Sequence, residues 1–215
     1  MMKTPVRIAI ADDHPVVVDA YTAHLQRLQG VEVACACMNG TKLIESLRET
    51  PCDIAVTDFS MGYGDGSVDG FNLLEKLVRL FPSTHIVVVS AQNNPGVVLR
   101  AMEIGARAFV SKADKASEVS RACAYVMGGG DVYYSPTVHG LLMSVDIAAF
   151  PMNAPTQKEM EVVRLFASGM RLSEIGAKLG RALGTVSSQK TSAMHKLGVS
   201  TNTDLIRYAY ENGLI

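Results

Sequence analysis

Three carboxylates and one ammonium in this 215-residue chain each follow a short apolar run. They are Asp12 and Asp13 in IAIADDHP, Asp58 in DIAVTDFSMG, and Lys112 in RAFVSKAD. If those runs are strands of one parallel sheet, all four side chains emerge at its carboxyl edge, where open α/β sheets bind ligands. Clustered carboxylates repel: a pair at roughly 4 Å costs about 1 kcal/mol in water and about 4 kcal/mol at an effective dielectric of 20. A divalent cation relieves that repulsion, and hard oxygen donors suit Mg²⁺. A carboxylate beside Mg²⁺ with a lysine nearby is equipped to accept a phosphoryl group.

The elements that must position these residues are legible as alternating patterns over the first 127 residues. Strands are expected at 6–11, 31–37, 53–57, 85–89 and 107–110. These runs are rich in Val, Ile and Ala and are continuous, as in strands buried on both faces. Amphipathic segments lie between them at about 15–28, 40–49, 70–80, 95–104 and 115–127; Leu73, Leu74, Leu77, Val78 and Phe81 show helical spacing. Gly30, Gly105 and Gly128 stand where helices would stop. Five βα units in this order predict a doubly wound, five-stranded parallel sheet over residues 1–128.

GGGD at 128–131 ends the pattern. A short helix can follow with Pro136 at its first position. AAFPMNAP (148–155) carries two prolines and reads as a linker, so 129–154 is expected to connect two domains. Only helical patterns follow, at about 157–167, 172–179, 184–197 and 202–212. They predict an all-α, four-helix domain over 155–215.

Charge separates the two halves. Residues 151–215 carry eight Lys/Arg and five Asp/Glu, whereas residues 1–150 carry twelve and sixteen. Between Glu174 and Asp204 there is no acid, but Lys178, Arg181, Lys190 and Lys196 are present. Cys35, Cys37, Cys52 and Cys123 form no C-x-x-C pair and no zinc spacing, so idle thiols are expected. No apolar run approaches the roughly 18 residues of a spanning helix, and no signal-peptide core is present. A soluble, cytoplasmic protein without a membrane partner is expected.

The order of motifs over residues 5–127 resembles the receiver domain of bacterial two-component response regulators. The acidic pair follows the first strand, Asp58 the third (with Met61 three residues on), Ser90-Ala91 the fourth and Lys112 the fifth. The resemblance implies that Asp58 accepts a phosphoryl group from a histidine kinase or phosphotransfer protein. It implies Mg²⁺ held by Asp13 directly, by Asp12 largely through water, by Asp58, and by the backbone carbonyl of Ser60. Lys112 and the Ser90 hydroxyl would meet phosphoryl oxygens, and the Phe109 ring would rotate as Ser90 shifts. Phosphoryl transfer needs in-line positioning and neutralised oxygen charge more than covalent help, which suits this set. His14, beside the acidic pair, is a further conceivable metal ligand. There are two departures. Lys112-Ala113 replaces the usual lysine-proline, which puts the familiar cis bond in doubt. The glycine-rich 61–70 loop is long and lacks the usual proline after Met61, and is expected to act as a lid. Asp65 and Asp69 in that loop do not fit an EF-hand.

In the last 60 residues, LSEIGAKLGRALGTVSSQKTSAMHKLGV has a helix-turn-helix layout. Ile175 and Leu179 share a face, Gly176 permits a close helix crossing and Gly180 serves the turn. Val186, Met194 and Leu197 can face inward. Ser187, Ser188, Gln189, Lys190 and Thr191 offer hydroxyls, an amide and an ammonium to a major groove. Thr156, Glu159, Glu161-Val162-Val163, Gly169, Glu174-Ile175, Leu179, Thr185-Val186 and Lys196-Leu197-Gly198-Val199 resemble the LuxR/NarL-type effector domain. That resemblance implies double-stranded DNA as partner, with Ser187, Ser188 and Thr191 near bases or phosphates, Lys190 on the backbone, and Leu205, Tyr208 and Ala209 serving a homodimer. Gly184 stands where lysine is common and Ala182 where a capping serine is common. SSQKTSAM, KLGV, the NNP after Ala91 and the long loop after Asp58 narrow the resemblance to capsule-controlling regulators of the Rcs phosphorelay.

The expected function is phosphorylation-controlled transcriptional regulation, with no enzymatic activity beyond self-phosphorylation. A second reading is a drifted receiver that controls transcription without phosphorylation, through an auxiliary transcription factor. A third, an aspartyl-phosphate phosphatase, needs a second catalytic acid near Asp58, which Phe59 and Ser60 do not supply.

Overall fold

The computed structural model describes residues 5–61, 68, 70–91, 94–144, 155–197, 199, 201–211 and 214–215. Most of the 61–70 loop, including Asp65 and Asp69, and linker residues 145–154 lie outside the described residues. The chain divides into two compact units.

The first unit is built on a parallel sheet of β1 (Val6–Ala11), β2 (Val31–Cys37), β3 (Ile54–Asp58), β4 (His85–Ser90), β5 (Ala108–Ser111) and β6 (Tyr133–Tyr134). The strand order is β2-β1-β3-β4-β5-β6. Helices α1 (Pro15–Leu25), α2 (Gly40–Glu49), α3 (Gly70–Leu80), α4 (Pro95–Ile104) and α5 (Ser117–Met127) connect the strands, and α6 (Pro136–Met143) follows β6.

The β-branched strand runs resolve into two faces. Ile8, Ile10, Ile54, Val56, Val87, Val89 and Val110 pack with Val18, Tyr21 and Leu25 of α1 and Val119, Ala122, Cys123 and Val126 of α5. Leu43 and Leu47 of α2 and Leu73, Leu74 and Leu77 of α3 are also buried. Local signals set the helix ends. Pro15 and Pro136 each open a helix, where a missing N–H costs nothing. The Asn39 side chain accepts from the amide of Lys42 at 2.9 Å and caps α2.

Among the described residues the sheet has six strands, where five were expected. Tyr133 and Tyr134 pair in parallel with Ala108 and Phe109, so the segment taken as connecting chain from residue 129 begins with an edge strand. Two residues after a glycine run give no strand period, and only their pairing with β5 defines them. The helix opened by Pro136 is present as expected.

The second unit contains α7 (Gln157–Ala167), α8 (Leu172–Leu179), α9 (Leu183–Lys196) and α10 (Asn202–Glu211). Val162, Ile175 and Val186 form its centre. Thr156 and Glu159 make a reciprocal capping box at the start of α7. Gly180 ends α8 at φ +62°, a conformation that favours glycine. A Cβ on Gly176 would lie 2.8 Å from the Arg181 carbonyl oxygen, which accounts for the small residue expected there.

Candidate functional site

The strand order changes direction between β1 and β3, and open α/β sheets bind ligands at the carboxyl edge of such a switch point. Asp12 leaves the end of β1 and Asp58 closes β3; both are buried. Lys112 reaches them from the turn after β5. Its Nζ lies 2.7 Å from Asp12 Oδ2 and 2.7 Å from Asp58 Oδ2. Burial works against the Lys112 ammonium, but the two carboxylates outweigh it and hold its pKa above the ordinary value. Burial pushes Asp58 up to about 6, against the pull of Lys112.

Backbone bonds fix the frame. The Asp12 amide donates to the Cys37 carbonyl at 3.1 Å, and the Lys112 amide donates to the Ser90 carbonyl at 2.7 Å. The Ser60 amide donates to Asp58 Oδ1 at 3.3 Å. Ser90 is buried at the end of β4, beside Ser111 in register, and Phe109 is fully buried in β5. Thus Asp12, Asp58 and Lys112 are in direct contact, with Ser60 and Ser90 bonded to them through the backbone.

Asp13 sits nearer the rim, where His14 Nδ1 is 2.7 Å from its Oδ1 and 3.2 Å from Asp12 Oδ1. Ligand atoms of Asp12, Asp13 and His14 lie within 4.8 Å of one another. The donor set fits a hard cation. Two buried carboxylates already converge on one positive charge, and a third carboxylate adjoins them. Among the described residues there is no cis peptide bond, so Lys112-Ala113 is trans.

In the helical unit, α9 turns Gly184, Ser187, Ser188 and Thr191 outward, at i, i+3, i+4 and i+7. Gln189 and Lys190 are half-buried. Gln189 Oε1 accepts from Arg181 at 3.3 Å, and the Lys190 ammonium lies 4.3 Å from the centre of the Phe166 ring. Burial lowers the Lys190 pKa. Arg181 pairs with Glu161 at 2.7 Å and Lys196 with Glu159 at 2.9 Å. The stripe expected to serve a dimer is corrected: Leu205, Tyr208 and Ala209 are buried in the core, and Ile206 and Tyr210 are the exposed apolar residues of α10.

Comparison with known proteins assigns a family to each part of the chain. Residues 8–123 match the response regulator receiver domain, and residues 155–209 match the bacterial regulatory proteins of the luxR family. The chain belongs to the response regulators. It is 34% identical to the transcriptional regulatory protein RcsB of Salmonella typhi over 94% of this chain and 92% of that protein. It is 26% identical to the Fimbriae Z protein of Salmonella typhimurium over 98% and 99% of the two chains. Among solved structures, an RcsB–DNA complex matches with a TM-score of 0.73 and 32% identity, covering 96% of this chain and 98% of that one. RcsB of Salmonella enterica serovar Typhimurium, bound to promoter P1flhDC with the phosphomimetic BeF₃⁻, matches with a TM-score of 0.78 and 33% identity over the same shares.

Local sequence patterns do not mark the bonds of Ser135 to Ser111 and of Thr137 to Asp114, at the two ends of the turn carrying Lys112, or the Glu159–Lys196 pair. Each joins residues far apart in the chain. Among the described residues no helix is long and apolar enough to cross a membrane.

Proposed function

We propose that this response regulator is switched by phosphorylation of Asp58 and binds double-stranded DNA through α9. One observation carries the reading: buried carboxylates from two neighbouring strands meet a single lysine ammonium at 2.7 Å each, at the switch point of the sheet. An Asp58 oxygen attacks phosphorus of the donor, a phosphohistidine of a kinase or phosphotransfer protein. The P–N bond breaks, an acyl phosphate forms, and the leaving imidazole takes up a proton. Lys112 and the Ser90 hydroxyl stabilise the transferring oxygens. Asp12, Asp13, Asp58 and the Ser60 carbonyl would hold Mg²⁺, which would supply charge neutralisation at the phosphoryl oxygens. Beyond this self-phosphorylation the protein is not an enzyme. Movement of Ser90 toward the phosphoryl group, with the Phe109 ring following, is the switch.

The sheet-bearing unit, which continues through β6 and α6 to residue 144, is the phosphoacceptor domain, 145–154 join it to the effector, and 155–215 bind DNA. The exposed hydroxyls of Ser187, Ser188 and Thr191 face the groove, and Gln189 and Lys190 flank them. A homodimer suits the effector, as in RcsB, for which two dimers bound to two parallel DNAs are described.

The test is the intact mass of wild type and Asp58→Ala after incubation with acetyl phosphate and Mg²⁺. One phosphoryl addition on wild type alone is expected. No addition from this donor or from a phosphohistidine protein, on folded wild type, would favour control through an auxiliary transcription factor without phosphorylation.

A further inference from the structure

Lys112 stands in a tight turn, Ser111–Asp114, closed by the Asp114 amide on the Ser111 carbonyl at 3.0 Å. The Ser111 hydroxyl accepts from the Ala113 amide at 3.2 Å. Contacts from beyond the receiver match, which stops at residue 123, grip both ends of this turn. At its start, the Ser111 amide donates to Ser135 Oγ at 3.0 Å. Ser135 is fully buried, and its own amide donates to the Phe109 carbonyl at 3.1 Å. At its end, Asp114 accepts from the Thr137 hydroxyl at 2.7 Å and from the Thr137 amide at 3.2 Å. The Ser135 side chain also bonds to Asp114, and although burial pushes the Asp114 carboxyl up, these hydrogen bonds outweigh it and lower its pKa.

Ser135 has no other evident task. As the residue before Pro136 it could cap α6, yet its side chain makes no cap bond there. Its Oγ is spent on the Lys112 turn. Serine is uncommon among fully buried residues, and a buried hydroxyl is retained where its bonds are made. Tyr133, two residues earlier, anchors the strand by donating to the buried Glu118 carboxylate at 2.5 Å. The segment is therefore fixed to the sheet on one side and to the turn on the other.

We infer that Ser135 is a positioning residue for phosphoryl transfer: with Asp114 and Thr137 it clamps the turn that aims Lys112 at Asp58. The inference rests on Asp58 being the phosphoacceptor. It makes the start of the connecting segment a working part of the site. Small displacements of a positioned group from the reacting atoms are costly in rate, up to about a hundredfold for 1 Å. Loss of one of several bonds on the turn should cost less than that limit.

The experiment uses the full chain as wild type, Ser135→Ala, Ser135→Thr and Thr137→Val, with acetyl phosphate and Mg²⁺ as probe. Initial phosphorylation is followed by intact mass over a range of acetyl phosphate concentrations. Hydrogen exchange of a peptide spanning 109–115 is followed on the unphosphorylated proteins. Ser135→Ala is expected to lower the rate at saturating donor about fivefold to tenfold, to leave the half-saturating concentration within twofold, and to speed exchange in 109–115 at least tenfold. Ser135→Thr, which keeps the hydroxyl, should restore both within about twofold, and Thr137→Val should fall between. Wild-type rates in a folded Ser135→Ala protein would overturn the inference, as would an equal loss in Ser135→Thr with a lowered melting temperature. If wild type itself takes up no phosphoryl group from acetyl phosphate or from a phosphohistidine protein, the phosphoacceptor reading fails. The exchange data then still report whether the clamp exists.

Discussion

Lys112 carries an unusual electrostatic burden for one side chain. Its ammonium is the cation that both Asp12 Oδ2 and Asp58 Oδ2 touch, and the two carboxylates are almost wholly withdrawn from water. Removing one partner of a buried pair leaves an uncompensated charge, typically costing about 3–5 kcal/mol. Lys112→Met should therefore destabilise the first unit by about 3 kcal/mol in urea melts without Mg²⁺. Adding Asp12→Asn to that variant should recover a large part of the loss. An unchanged denaturation midpoint in Lys112→Met would mean that solvent already screens the carboxylates. Glu159 presents the same problem with a different solution. Burial pushes its carboxyl up, but hydrogen bonds from Ser192, Lys196 and Thr156 outweigh that and hold it down at about 2. A depressed folded pKa contributes stability that is full above the unfolded value of about 4.5 and is lost as pH falls toward 2. Allowing for solvent screening, the contribution is on the order of 2 kcal/mol. Circular dichroism melts of the helical unit between pH 5 and 2 should show that loss in wild type and a much flatter profile in Glu159→Gln.

At the scale of elements, α9 combines a well-packed inner face with a poorly optimised start. Val186 and Ala193 are fully buried, while Gly184 is exposed with nothing within 4 Å of where a Cβ would stand. Glycine inside a helix costs roughly 0.5–1 kcal/mol relative to alanine. Gly184→Lys should therefore raise the thermal stability of the helical unit slightly. If α9 enters the major groove, it should also tighten DNA binding several-fold and steepen the salt dependence by about 0.9 per added phosphate contact. Fluorescence anisotropy at several salt concentrations reads both quantities, and tighter binding with an unchanged slope would place residue 184 away from the phosphates. Legibility in the sequence varied with the range of the signal. Strands β1–β5 and their helices were read within a few residues, because continuous Val/Ile runs and Leu spacing are local patterns. Asp12, Asp58 and Lys112 were legible because strand ends are, and a parallel sheet aligns those ends. The pair Tyr133–Tyr134 was not, since two residues have no period. Leu205, Tyr208 and Ala209 were correctly read as a stripe but assigned to the wrong cover, because periodicity identifies an apolar face without saying which surface lies against it. Lys190 reads as a phosphate contact in sequence, yet lies over Phe166, a partner 24 residues away that no motif marks.

For the whole molecule, the engagement of the basic residues around α9 bears on how DNA binding can be controlled. Of the four basic residues between Glu174 and Asp204, Arg181 and Lys196 are ion-paired and Lys190 is stacked on an aromatic ring. If one copy makes about three phosphate contacts, its affinity falls with a log–log salt slope of only about −3. Two copies joined on one site double the slope and gain from effective concentration, which can add a factor of 10² or more without new contacts. If Asp58 is the phosphoacceptor, its phosphorylation adds close to two negative charges within reach of Lys112 and far in the sequence from α9. Its natural lever is therefore the pairing of copies rather than the DNA face itself. Phosphorylated wild type should bind an operator-length duplex at least tenfold more tightly than Asp58→Ala, with about twice the salt slope. The gain should disappear on a duplex holding a single half-site. Sedimentation of the free proteins should show a matching rise in dimer on phosphorylation of wild type alone. Equal affinities for Asp58→Ala and phosphorylated wild type would remove Asp58 from the control of DNA binding. A gain of the same size on the single half-site would place the switch in the effector domain's own contacts.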